Sequence, residues 1–232
     1  MFASQDFFRQ IDQRIARYDL LQHPYYRAWS AGELTKDDLR EYGSEYWAHV
    51  SAFPTYLSAL HATLEDAELR RTVLRNLADE EGIDAPGGRP HSDLWMDFAR
   101  GMGADESDVR ERQLQPETQA LLAKFRALMT EGTSAALAAL YAYESQVPRI
   151  AEEKAAGLRM HYGADDATCR YFTLHRTADV HHAAVWKQAL AEQLATGPEQ
   201  ADKALDAAEA AAQALWTALD GMERERLART AN

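Results

Sequence analysis

Apolar side chains recur along this chain at helical spacing, and nowhere at the two-residue spacing of a strand. Phe8, Ile11, Ile15 and Tyr18 form a first stripe, and the helix it predicts stops before His23-Pro24, because the residue ahead of a proline is pushed out of helical geometry. A short aromatic segment, HPYYRAW, follows from His23 to Trp29. Thr35 with Asp38 makes a capping-box pattern, after which Leu39, Tyr42, Tyr46, His49 and Phe53 share one face of a long helix that Pro54 is expected to kink. Thr63 with Asp66 repeats the capping pattern. Leu69, Val73, Leu74 and Leu77 then carry a third stripe into Asp79-Glu80-Glu81, ended by Gly82. The loop GIDAPGGRP delivers His91, and His91, Leu94, Trp95 and Phe98 form the inner face of a helix closed by Gly101 and Gly103.

Past a polar connector from Ala104 to Gln115, Leu121, Leu122, Phe125 and Leu128 mark another helix, terminated at Gly132. An Ala-rich helix begins near Ser134, presents Leu137, Tyr141 and Glu144 at i, i+4 and i+7, and is bent by Pro148. A helix holding YFTLHRTADVHHAAVW follows. After Gly197-Pro198, Leu205, Ala208, Ala212, Leu215, Leu219 and Met222 keep step along a last one. The pattern predicts an all-α chain of seven or eight helices, without internal repeats, forming a single domain over residues 1–232.

Charge narrows the partners. With 25 Lys and Arg against 37 Asp and Glu, the formal charge of −12 repels phosphate backbones and anionic lipid surfaces, so neither nucleic acid nor membrane is expected. The one cysteine, Cys169, permits no internal disulfide and no thiolate set. The start lacks a basic n-region and an apolar h-region, and no apolar run reaches membrane-spanning length, which reads as a soluble cytoplasmic protein.

Candidate chemistry concentrates between Tyr171 and Trp186. His175, Asp179 and His182 stand at i, i+4 and i+7 on one helical face, together with Phe172 and Trp186, so two imidazoles and a carboxylate point toward a core. A charge there must be paired, neutralised or bound to a cation, and inward-facing His and carboxylate sets are how helical bundles build metal sites. Two further apolar stripes supply similar groups: Glu80 or Glu81 with His91, and Glu144. Between the adjacent glutamates, Glu80 lies about 45° and Glu81 about 55° from the leucine/valine stripe, which favours Glu80 narrowly. Three carboxylates and three imidazoles without a thiolate suit iron or manganese, and their charge suits two divalent ions better than one. His49, His61 and His161 read as structural, His181 as an outer partner or an exposed residue, Tyr25 and Tyr26 as packing, and Lys154 in AEEKAAGL as an exposed lysine on the same helix as Glu144.

The motifs HPYYRAW, GELT, FP-x-YL, NLADEEG, HSDLW, ALYAYESQVPRIAEEKAAGL and YFTLHRTADVHH resemble, over nearly the full length, the family of the chlamydial protein associating with death domains. That family is a branch of the haem-oxygenase-like diiron oxidases, so the resemblance implies a haem-oxygenase-like helical bundle. The E-x30-H-x3-D-x2-H arrangement of Glu144, His175, Asp179 and His182 matches its metal pattern, and Glu80 and His91 match the remaining positions.

By position, the resemblance implies an oxygenase that uses O2, an external reductant and an Fe/Fe or Mn/Fe pair to make para-aminobenzoate for folate synthesis from one of its own tyrosines. Tyr26 would be the consumed ring and Lys154 the amine donor, with Tyr42, Tyr143 and Tyr171 near the metals to relay a radical or orient the site. A homodimer is the expected assembly. Two alternatives stand beside it: the same centre acting on an external amine, amino acid or fatty acid by N-oxygenation or carbon-carbon cleavage, and a protein-interaction module, which would leave six buried ligands without a purpose.

Overall fold

The capping box at Thr35 forms: its hydroxyl accepts from the Asp38 amide at 3.1 Å while the Asp38 carboxylate accepts from the Thr35 amide at 2.9 Å. It starts the long helix that the stripe from Leu39 to Phe53 predicts. The computed structural model describes residues 4–83 and 88–230, so Asp84–Gly87 of the GIDAPGGRP loop lie outside the described residues. Among the described residues the chain is helical throughout, with no strand. In order the helices are α1 (Ser4–Ala16), α2 (Pro24–Ala31), α3 (Lys36–Thr63), α4 (Ala67–Glu80), α5 (His91–Gly101), α6 (Glu106–Arg110), α7 (Pro116–Thr130), α8 (Thr133–Glu144), α9 (Val147–Tyr162), α10 (Asp166–Thr196) and α11 (Ala201–Thr230).

Eleven helices in place of seven or eight have physical reasons. In the aromatic segment, Pro24 occupies the first helical turn and the His23 ring accepts from the Tyr25 amide at 3.1 Å, so a proline expected to stop one helix opens α2. The polar connector contains the one-turn α6, capped by Asp105. The Ala-rich helix does not bend at Pro148; it ends at Glu144, and Pro148 sits in the first turn of a separate α9. Lys154 is therefore not on the helix of Glu144. Nor is Thr63 a cap: it is the last residue of α3, and Asp66 caps α4 by accepting from the Leu69 amide at 2.6 Å. Pro54 lies inside α3, which continues through it.

α8 is the central element. Every residue from Ser134 to Glu144 is buried, as an Ala-rich helix apolar on all sides must be, and α7, α10 and α11 pack around it. α3, α5, α9 and α10 enclose the other half of one continuous core, whose largest buried rings are Trp29, Trp95, Trp186, Tyr42 and Phe172. Close approach is needed where α9 meets α2. A Cβ at Gly157 would stand 2.9 Å from the Trp29 ring, so only glycine lets the two helices meet there. No helix among the described residues is long and apolar enough to cross a membrane.

Candidate metal centre and the buried lysine

Three helix ends meet the flank of α10. Glu80 is the last residue of α4, His91 the first of α5 and Glu144 the last of α8, while α10 contributes His175, Asp179 and His182 from one face. None of the six is more than 5% exposed. Glu81, one residue past the end of α4, points to solvent. The donor atoms of Glu80, His91 and His175 lie within 4.8 Å of one another. Glu80 Oε2 is 2.9 Å from His91 Nδ1, and the His91 and His175 rings are 4.5 Å apart. A second group adjoins the first: His182 Nδ1 stands 3.4 Å from Asp179 Oδ1 and 4.0 Å from Glu144 Oε2.

Several of these atoms are buried without a hydrogen-bond partner, namely His91 Nδ1, His182 Nδ1 and Glu144 Oε1. Orphaned buried acceptors are costly, and a cation held among them would relieve that cost. The donor set fits such ions, since three carboxylates and three imidazoles are hard-to-borderline ligands. The outer atoms are already engaged: the His175 Nδ1–H donates to the Tyr171 carbonyl at 2.7 Å, leaving Nε2 inward, and Trp186 Nε1 donates to Glu144 Oε2 at 2.6 Å.

The electrostatics agree with a set of coupled charges. Burial, then the charge of Asp179, pushes the Glu144 carboxyl well above its ordinary range. For His182, burial opposes the charged form, but the carboxylates of Asp179, Glu144 and Asp79 around the ring outweigh it and raise the pKa to about 9. Burial likewise opposes charge at Glu80 and His91, yet their mutual attraction lowers the first and raises the second. Burial lowers His175.

A second cluster surrounds a small cavity of about 30 Å³, lined by Tyr26, Tyr46, Trp95, Tyr143, Lys154 and Tyr171 among others. Lys154 is buried, which overturns its reading as an exposed lysine; the glutamates beside it in sequence face outward while its own side chain turns in. Its Nζ donates to Tyr26 Oη at 2.7 Å and contacts Tyr42 Oη, and the two hydroxyls are 2.8 Å apart. Burial drives the lysine pKa well below its ordinary value, toward a neutral amine, and drives those of Tyr26 and Tyr42 well above theirs. Tyr171 stacks on His175 at 3.9 Å, and Tyr143 packs against His49 and Phe53. Trp95 links the two clusters, 4.8 Å from Tyr171 and 5.7 Å from Tyr42. His181 is exposed beside a surface pocket of about 340 Å³ that reaches His91 and His182.

Trp95 and Trp186 entered the sequence reading as packing residues, and Tyr46 as part of a stripe. The signal for Trp186 was its place one turn beyond His182 on the same face; nothing in the sequence marked Trp95 as a bridge.

The profile of a family described as iron-containing redox enzymes matches residues 40–216. A 4-aminobenzoate synthase of Nitrosomonas europaea is 41% identical over 95% of this chain and 92% of its own length. A protein of the same name from Chlamydia trachomatis is 40% identical over 95% of this chain and 93% of its own. Among solved structures, a domain of unknown function with a haem-oxygenase-like fold from Shewanella denitrificans superposes with a TM-score of 0.79 at 18% identity, covering 94% of this chain and 92% of its own. That likeness concerns the fold, and it agrees with the bundle that the motifs implied. An enzyme family also displaces the reading as an interaction module. With the profile spanning most of its length and such relatives matching nearly all of it, the chain belongs to the iron-containing redox enzymes of haem-oxygenase-like fold.

Proposed function

We propose that this chain makes 4-aminobenzoate in an O2-dependent reaction that consumes its own Tyr26, with Lys154 supplying the nitrogen. The observation that carries the reading is the contact of a buried lysine amine with the hydroxyls of Tyr26 and Tyr42, beside a small cavity also lined by Tyr171, whose ring stacks on the ligand-type His175. Relatives about 40% identical over nearly the whole chain bear the name of that activity.

In this reading Glu80, His91, Glu144, His175, Asp179 and His182 hold two metal ions, Fe/Fe or Mn/Fe. When bound, the ions activate O2 with electrons from an external reductant and supply the oxidising power. The protein's own groups do the rest. Tyr26 sits in a site closed to water, so its phenol stays protonated until it is oxidised. Losing an electron makes a phenol strongly acidic, and Lys154 Nζ, 2.7 Å away with its pKa driven down by burial, is the base within reach. Tyr42 Oη, 2.8 Å from the Tyr26 oxygen and itself in contact with Lys154 Nζ, closes a triangle of hydrogen-bonding groups. Tyr171, stacked on His175, and Tyr143 line the same small cavity as Tyr26 and Lys154.

A second reading keeps the centre but gives it an external amine, amino acid or fatty acid. The surface pocket of about 340 Å³ against His91 and His182 is the observation in its favour. The two readings part on stoichiometry. Purified metal-free protein given Fe(II), reductant and O2 should yield at most one 4-aminobenzoate per chain, carry ring label from labelled tyrosine into it, and lose a matching mass. Many turnovers per chain, or unlabelled product, would overturn self-consumption. Cytoplasmic location and a homodimer belong to the same reading, the latter checked by light scattering on the eluted protein.

A further inference from the structure

One more carboxylate touches the centre from outside. Asp79, next to Glu80 near the end of α4, places Oδ2 3.2 Å from His182 Nε2. Its side chain is 48% exposed, against 6% for that of His182, so solvent reaches it and it is not one of the inward set. The two ring nitrogens of His182 thus face opposite ways. Nδ1 is directed at Asp179 and Glu144 and makes no hydrogen bond, while Nε2 is directed at Asp79. A carboxylate can only accept, so the Nε2 facing it carries a proton and donates it. That leaves Nδ1 as the atom available to a cation.

His175 is arranged the other way round. Its Nδ1–H is spent on the Tyr171 carbonyl one turn back, and Nε2 is left for the interior. Two histidines seven residues apart on α10 therefore present different nitrogens, and each choice is made by an acceptor on the outer side. For His175 that acceptor is part of its own helix and comes with helix formation. For His182 it comes from α4, a different element, and depends on a single side chain.

We propose that Asp79 is a positioning residue: it holds His182 in the tautomer that binds through Nδ1, and so sets the affinity of the metal position formed by Glu144, Asp179 and His182. The inference rests on the metal reading above. Outer carboxylates of this kind orient a ligating imidazole and raise its basicity, and their loss costs about 10- to 100-fold in metal affinity.

The test uses the full chain, stripped of metal and titrated with Mn(II), with bound ion followed by calorimetry and electron paramagnetic resonance. Wild-type protein should take up two ions. Asp79→Ala should weaken one of the two by about 10- to 100-fold and leave the other unchanged, and Asp79→Asn should fall between, because its carbonyl still accepts from Nε2–H. Circular dichroism and thermal melts should match across all three, since the side chain is half-exposed. Nitrogen-15 spectra of histidine-labelled, Zn(II)-loaded protein give a readout that general loosening would not mimic: His182 should carry its proton on Nε2 in wild type and lose that single tautomer in Asp79→Ala. Two ions bound with wild-type affinities in Asp79→Ala, or a Zn(II)-loaded wild type protonated at Nδ1, would overturn this inference alone. A wild type that binds fewer than two ions would overturn the metal reading with it.

Discussion

Lys154 Nζ lies 2.7 Å from Tyr26 Oη, although 128 positions separate the two residues in sequence. Burying an amine costs free energy, and here the burial is complete enough to favour the uncharged form. An amine shifted in that direction is a better nucleophile and proton acceptor than an exposed lysine. In the proposed reaction the lysine would take the tyrosine's proton, and the tyrosine's hydroxyl supplies a hydrogen-bond partner for the buried amine.

If this pair does the chemistry, Tyr26→Phe should keep the fold and the metal content, because it removes one oxygen from a ring whose packing on Trp29 and Tyr42 is unchanged. It should nevertheless abolish 4-aminobenzoate. Lys154→Arg should abolish it too, by replacing a transferable primary amine with a guanidinium that stays charged. Product assayed by mass spectrometry after one aerobic incubation decides the matter, and wild-type yield from both variants would remove these residues from the reaction.

The α10 face was legible because three polar residues at i, i+4 and i+7 amid aromatic neighbours leave helical phase little choice. Glu80 was less so: its angle to the apolar stripe differs from that of Glu81 by about 10°, and only the meeting of α4 with α5 and α10 buries one and exposes the other. Lys154 and Tyr26 could not be read from local pattern at all. Their proximity depends on the break after Glu144, and the signal there, Pro148, is the same whether a helix bends or a new one starts. Pro24 misled in the same way. Asp79 was visible as the first of three acidic residues, but a carboxylate next to a ligand-type glutamate carries no mark of the ring it will face.

His49 is a buried cost that function does not explain. Its ring is wholly buried among Tyr46, Phe53, Tyr56, Phe125 and Tyr143, with neither nitrogen hydrogen-bonded, and burial pushes its pKa down to about 3. The folded value lies below the unfolded one near 6.5, so between those pH values the unfolded chain binds the extra proton. Stability must therefore fall as pH drops from about 6.5 toward 3, by at most about 1.4 kcal/mol per pH unit from this group. His49→Leu should remove that share of the acid sensitivity and raise stability at pH 7 by about 1–3 kcal/mol, the cost of unpaired buried polar atoms. Urea unfolding at pH 7.5 and pH 5 measures both, and an equal loss of stability in variant and wild type would contradict the account.

Trp186 touches the proposed centre through Glu144. Its Nε1–H, 2.6 Å from Glu144 Oε2, is the donor on a carboxyl whose other oxygen has no hydrogen-bond partner. Trp186→Phe keeps most of the ring but removes the donor. Metal affinity should drop by about tenfold or more, with a smaller change in melting temperature. Parallel Mn(II) titrations and melts separate the two effects, and a large fall in stability without any change in affinity would show that the indole only fills space.

Loading the centre must also move protons. In the metal-free protein burial and the charge of Asp179 push the Glu144 carboxyl well above its ordinary range, and the carboxylates around His182 raise its pKa to about 9. If the proposed centre is right, His182 must lose a proton to bind a cation through Nδ1, and the raised Glu144 carboxyl favours a further release. Filling the centre at pH 7 should therefore release protons, seen as a dependence of the Mn(II) binding heat on the ionisation heat of the buffer. Each proton released makes affinity fall about tenfold per unit as pH decreases. The sign follows from raised pKa values: acid favours the protonated, metal-free form, and the His182 share disappears as pH rises past about 9. Binding at pH 7 with no proton release would mean that the cation enters without displacing the His182 proton, and that His182 Nδ1 is not its ligand.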